Sequence, residues 1–209
     1  MSYDPTLAEP LRQGTRVTVP PVGHPLSLAD AKLHLRIESD DTWQDDQIDL
    51  LCGAVHRKLE TDLGFPVLRQ TRRTALDGFP AGGDRAIWIG GGDDPAISSF
   101  TWLDSTATPQ PLTAGTHYVL DAISSPARVV PIPGTSWPSP LRRPGAVVID
   151  WTAGWAMAAA VPEDLMHAQK LLLGHWFENR EAVLAGTIAS EVPLGYQALV
   201  EGWRSRALY

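Results

Sequence analysis

Leu59-Glu60-Thr61-Asp62-Leu63-Gly64-Phe65-Pro66-Val67-Leu68-Arg69-Gln70-Thr71-Arg72-Arg73-Thr74-Ala75-Leu76 contains the change of rhythm that decides the fold. Upstream, Ile48, Leu51, Val55, Leu59 and Leu63 recur every three or four positions, so they form one stripe of an amphipathic helix that must be buried against something. Gly64 follows as the stop. From about Val67 to Ala153 the helical spacing gives way to short β-prone runs: Thr71 to Leu76, Ala86 to Ile89, Ser99 to Leu103, His117 to Leu120, Ala127 to Ile132 and Ala146 to Trp151. Gly82-Gly83, Gly90-Gly91-Gly92, Pro109 to Pro111, Pro131 to Gly134 and Pro138 to Pro144 separate them. No helical segment lies between successive runs, which predicts a meander or small sandwich rather than βαβ units.

Helices flank this region. Ser27 is placed as an N-cap with Asp30 in the capping-box position, and Leu28, Ala31 and Leu35 share a face of a short helix ending near Ile37. A longer one starts at Asp40, Asp41 or Thr42, with acids crowding its first turns. After Gly154, Pro162 with Glu163 and Asp164 opens a third, whose buried face carries Leu165, Ala168, Leu172 and Trp176. Val183 to Val192 reads as a loop, and Pro193 opens a last helix using Leu194, Leu199 and Trp203. The expected class is α+β: a small bundle of about four helices with a β-rich meander or sandwich inserted between helices 2 and 3. Residues 1–26, with five prolines, read as an extended N-terminal arm; 27–65 as helices 1 and 2; 66–155 as the insertion; and 156–209 as helices 3 and 4 with a C-terminal tail.

Composition narrows the function. With 20% charged and 44% hydrophobic residues the chain is expected to fold. A formal charge of −7 with 17 basic residues argues against an extensive phosphate-binding surface. One cysteine, Cys52, allows no intrachain disulfide, and no apolar run approaches the ~18 residues of a membrane helix. A soluble protein made in the cytoplasm, with no membrane partner, is the expectation.

No constellation of reactive groups stands out. His167 and His175 are eight apart, not the i, i+4 pair of a zinc protease. Asp40, Asp41, Asp45, Asp46 and Asp49 lack the central Gly and terminal Glu of a calcium loop, and Gly90 to Asp94 lacks the Lys and Ser/Thr of a phosphate loop. Cys52 has no histidine placed to activate it, and Ser136 and Ser139 sit among prolines without a nucleophile elbow. The expectation is no catalytic residue, no metal and no cofactor. Among the eight tryptophans, Trp151, Trp155 and Trp176 read as core, whereas Trp43 and Trp203 are divided evenly between core and interface.

The segment His175-Trp176-Phe177-Glu178-Asn179-Arg180-Glu181, with Leu26 to Arg36 and Leu76 to Pro80 before it, resembles the head-to-tail connector (adaptor, head-completion) proteins of long-tailed bacteriophages and related gene transfer agents. Pro126 to Pro131, Gly134 to Pro138, Pro144 to Val147, Thr152 to Gly154 and Val161 to Glu181 continue the resemblance in the same order, from residue 26 to about 205. The chain departs from the shorter members in its arm and its insertion.

That resemblance implies a structural virion protein, not an enzyme. It would form a ring, usually dodecameric, in the virion neck below the portal, extending the DNA channel and offering a docking surface to the stopper or tail. Another neck part, a stopper or tail terminator, is the alternative, though such proteins would be expected to be β-dominated. The implied partners are the portal protein, a stopper or tail-terminator protein and further copies of the chain, with DNA only passing through the lumen. The acid-free end of the chain looks like the family's portal-docking tail, with Trp203, Arg204, Arg206, Leu208 and Tyr209 as its residues. A lumen that must release DNA favours acids, and Asp45, Asp46 and Asp49 are the candidates.

Overall fold

The computed structural model describes residues 13–81, 85–179 and 193–204. Among the described residues four α-helices and eight strands follow one another, and most of the strands lie between the second and third helices. The chain divides into a helical unit (Pro20–Gln70, Gly90–Asp94 and Ala153–Tyr209) and a sheet unit (Met1–Val19, Thr71–Ile89 and Pro95–Thr152).

In the helical unit, α1 (Leu28–Leu35) begins as its sequence requires: the Ser27 hydroxyl accepts from the Asp30 N–H at 3.1 Å, and Arg36 closes the helix in the left-handed region. Helix α2 (Asp45–Leu63) ends at Gly64, where φ is +77° and the N–H returns to the Glu60 carbonyl. It starts later than the Asp40, Asp41 or Thr42 that the sequence predicts. The carbonyls of Ser39 and Asp41 accept from Lys32 Nζ at 3.1 and 2.7 Å, so this stretch wraps an ammonium group instead of winding into the helix.

Helices α3 (Glu163–Glu178) and α4 (Leu194–Glu201) each follow a proline at the N-cap. Ile48, Cys52, Val55 and Leu59 of α2 meet Leu165, Ala168 and Leu172 of α3 in one fully buried core. At roughly 2 kcal/mol for each large side chain taken out of water, this stripe-to-stripe burial is the main force holding the helices together. On α4 the buried residues are Tyr196 and Val200, four apart, while Leu194, expected inside, is 80% exposed. Trp176 is half-buried against the core.

The sheet unit holds strands β1 (Gln13–Val19), β2 (Gln70–Leu76), β3 (Ile87–Trp88), β4 (Ala96–Leu103), β5 (Pro109–Pro111), β6 (Tyr118–Asp121), β7 (Arg128–Pro131) and β8 (Val147–Ala153). They form a five-stranded sheet in the order β1-β2-β8-β4-β5 and a three-stranded sheet in the order β3-β7-β6. Within the segment read as an extended arm, residues 13–19 are extended but paired, running antiparallel to β2. All seven side chains of β1 are exposed, so no alternation marks it as a strand. Pro109–Pro111, read as a separator, is likewise a strand, and it can be one because it lies at the sheet edge, where proline's missing N–H breaks no ladder.

The central strand β8 alternates cleanly, burying Val147, Ile149, Trp151 and Ala153. Its Trp151 donates Nε1–H to the Thr74 hydroxyl at 2.9 Å, and Thr74 in turn shares a 2.9 Å bond with Thr15, a side-chain strap across β8, β2 and β1. Phe79, Phe100, Tyr118 and Trp137 join the two sheets through tilted and stacked ring contacts.

Candidate functional site

The two segments richest in the resemblance face one another across the helical unit. His34 of α1 lies over Gly174 of α3, so closely that a Cβ at 174 would sit 3.4 Å from its Nε2. Burial first, and then the charge of Lys170, hold His34 below the ordinary imidazole value against a bond to the Lys170 backbone. At the end of α3 the Asn179 side chain and backbone both donate to the His175 carbonyl, at 2.9 and 3.1 Å, and terminate the helix. His175 and Asn179 thus finish a helix, Trp176 packs inward, and Glu178 is exposed. Arg180 and Glu181 lie outside the described residues.

Lys32 sits among the same group of residues and was not singled out by the sequence reading. Only 5% exposed, it satisfies three acceptors: the Ser39 and Asp41 carbonyls and the Asp45 carboxylate at 2.9 Å. Beside Ala31 at the edge of the apolar face of α1 a lysine reads as solvated, so the sequence carried no signal for it. Glu60 plays the corresponding part at the other end of α2. It accepts from the Val67 N–H at 2.7 Å and from Gln70 Nε2 at 2.8 and 3.0 Å, and stands 3.3 Å from His56 Nε2. Burial opposes its ionisation, but His56 and the hydrogen bonds from Gln70 and Val67 outweigh burial and hold the carboxyl below its usual range.

The C-terminal helix is pinned in two places. Tyr196 donates its hydroxyl to Asp62 at 2.7 Å, and Asp62 also takes the Lys58 ammonium. Burial and the Asp62 carboxylate push the Tyr196 phenol far up, so it stays a donor. Trp203 donates its indole N–H to Asp164 and stands edge-on to Trp155, which is edge-on to Phe65. Of the tail residues expected to dock on a portal, Trp203 is therefore half-buried on its own core, Arg204 is exposed, and Arg206, Leu208 and Tyr209 lie outside the described residues.

The three channel candidates are not equivalent. Asp45 is paired with Lys32, and Asp49 stands 3.2 Å from His24, while Asp46 has no ion-pair partner among the described residues. Asp46 shares the outward side of α2 with Trp43 and Leu50, which are 89% and 68% exposed. Asp46 and Leu50, four apart, lie on the side of α2 opposite the buried Ile48, Cys52, Val55 and Leu59, and Trp43 stands in the turn just before the helix. An exposed tryptophan and leucine beside a free carboxylate form a surface suited to protein contact.

Cys52, Asp104 and His117 are engaged in packing or in turns. Burial, with Asp49 adding to it, pushes the Cys52 thiol up to about 11, which leaves it a packed thiol rather than a nucleophile. In the sheet unit a cleft of about 490 Å³ is lined by Trp102, Asp104, Gln110, His117 and Trp137 among others. Its Asp104 accepts from Thr106, Thr108 and Gln110, and these bonds hold the carboxyl down to about 2. His117 Nδ1 accepts from the Thr113 N–H at 2.9 Å. Acid and imidazole both build turns. Among the described residues no group of three or more His, Cys, Asp or Glu is arranged to hold a metal ion, and no helix is long and apolar enough to cross a membrane.

No described protein family matches the chain, and no curated protein is similar to it. Solved structures are. The chain is similar to one in a structure described as "Neck of empty GTA particle computed with C6 symmetry", at 23% identity and a TM-score of 0.74, covering 94% of this chain and 97% of that one. A chain of "Virion of native gene transfer agent (GTA) particle" matches at 22% identity and a TM-score of 0.71, covering 93% and 97%. One of "Neck of native GTA particle computed with C12 symmetry" matches at 22% and 0.70, covering 94% and 97%. The bundle with its β insertion is thus a fold also built by chains of gene transfer agent particles, shared over nearly the full length of both partners.

Proposed function

We propose that this chain is a ring-forming subunit of the head-to-tail neck of a phage-like particle, an adaptor below the portal that extends the DNA channel and receives the stopper or tail. The observation that carries this reading is the shared fold over 93–94% of the chain with subunits of gene transfer agent structures, two of them necks, reached independently of the ordered motifs read from the sequence. The chemistry agrees with it: the engaged polar groups build structure, and a net charge of −7 suits a passage that DNA must leave.

In this reading the subunit has a modest interface that becomes productive when a portal ring holds neighbours at high effective concentration, giving a dodecamer. The tail from Arg204 through Arg206, Leu208 and Tyr209 docks on the portal, with Trp203 anchoring its root to Asp164 and Trp155. Of the channel candidates Asp45, Asp46 and Asp49, the exposed Asp49 is the one whose meeting with DNA is read from ejection rates, after Asp49→Lys, because Asp45 is held by Lys32.

Cryo-electron microscopy of the particle neck, or negative-stain imaging of the protein mixed with its portal, tests the proposal. A ring of this chain stacked below the portal is the expected result, and its absence from the neck refutes the reading. Removing residues 204–209 should leave a folded monomer that no longer joins DNA-filled heads; truncated protein that still completes heads would remove the tail from the docking role.

A further inference from the structure

We infer that the outward face of α2 is one half of the contact between neighbouring copies of this chain, and that its other half is the Arg142-Arg143 loop of the next copy. This rests on the ring reading and gives that ring a head-to-tail interface.

Trp43 precedes the first residue of α2 and is 89% exposed, although a large apolar residue there ordinarily packs down as a staple on the helix. One and two turns along stand Asp46, without an ion-pair partner among the described residues, and Leu50, 68% exposed. An exposed indole and a bare carboxylate together select a guanidinium, which stacks on the ring face and pairs with the acid. The partner surface must therefore be basic and partly apolar.

The chain, acidic as a whole, has one pair of adjacent, exposed arginines among its described residues. Arg142 and Arg143 are adjacent, both exposed and free of any carboxylate partner, unlike Arg73, held by Asp150, and Lys58, held by Asp62. Their loop is stiffened by Pro138, Pro140 and Pro144 and fixed at both ends: Leu141 N–H donates to the Leu103 carbonyl at 2.9 Å, and Gly145 N–H to the Asp77 carboxylate at 3.0 Å. Half-exposed Leu141 beside the arginines can meet Leu50. Little ordering entropy is lost when a loop held in this way docks. Because the two halves are different patches on one chain, the contact is heterologous, the type that a cyclic ring repeats from subunit to subunit.

The test uses particles carrying full-length protein. With Thr42→Cys and Ser139→Cys combined, exposed positions beside the two patches that leave Asp46 and both arginines in place, and Cys52 buried and unreactive, a short bismaleimide should convert the neck subunits into a ladder of covalent oligomers. Only monomer, or a cross-link to the portal, from necks that contain the protein would overturn the inference while leaving the ring reading intact. Necks lacking the protein would sink the ring reading itself. As a second arm, Asp46→Arg alone and Arg142→Asp with Arg143→Asp alone should each lower neck occupancy on the order of tenfold. All three together should restore it. A triple variant as poor as its parents, with circular dichroism showing folded monomers throughout, would equally reject the pairing.

Discussion

In the helical unit, Lys32, His56, Glu60 and Gln169 are placed inside or nearly inside, with Lys32 and Glu60 each gathering several partners, whereas the ion pairs Arg73–Asp150 and Arg128–Asp121 of the sheet unit leave their arginines 42% and 40% exposed. Buried charges are expensive when unpaired and bind specific loops when satisfied; exposed ones are screened and contribute little. The helical unit therefore fixes the course of residues 36–44 and 64–70 through polar groups, while the sheet unit is held by its backbone ladders and its aromatic cluster.

This contrast can be broken most severely at Gly154, in the helical unit. There φ is +105° and a Cβ would come within 2.5 to 2.8 Å of the backbone of Leu68 and Arg69, so Gly154→Ala should cost more than about 4 kcal/mol in denaturant unfolding or prevent folding. Lys32→Ala comes next. It strands two carbonyls and the partly exposed Asp45, and a loss of about 3 kcal/mol is expected by the same measurement; a loss below about 1 would mean that the ammonium does not organise the loop.

Glu60 sharpens the contrast through pH. Its folded-state pKa lies below the unfolded value, so its contribution is present above roughly pH 4.3 and is lost as pH falls through the lower folded value. Glu60→Gln should flatten that acid limb in a stability profile, and an unchanged limb would place the acid sensitivity elsewhere. The smallest effect is expected from Arg73→Ala, under about 1 kcal/mol despite two good hydrogen bonds to Asp150, because solvent screens the pair.

What was legible in the sequence follows the same division. Ser27 and Gly64 cap as their residue types require, the stripe from Ile48 to Leu63 is buried, and the insertion between helices 2 and 3 is where the period changed. Residues 13–19 were not legible as a strand because both faces meet water, and Pro109–Pro111 was not because proline signals a break unless the edge position is known. The placement of β8 between β2 and β4 depends on pairings across 45 residues or more that no local pattern encodes. The burial of Lys32 and Glu60 was equally hidden, since a charged residue next to an apolar stripe reads as solvated until its acceptors are known. For the candidate surfaces, Trp43 and Trp203 looked alike in sequence; one is exposed, and the other is tied to Asp164 and Trp155.

Where the chain leaves the helical unit for β2 and where it comes back from β8, Leu68 and Trp155 form a parallel bridge, with Trp155 N–H on the Val67 carbonyl at 2.8 Å and Arg69 N–H on the Trp155 carbonyl at 3.0 Å. Exit and return are thereby held one strand spacing apart, roughly 4.8 Å, by bonds that belong to the bundle. Loops of the β region can lengthen, shorten or be exchanged over generations while the exit after α2 and the return before α3 keep the same clip.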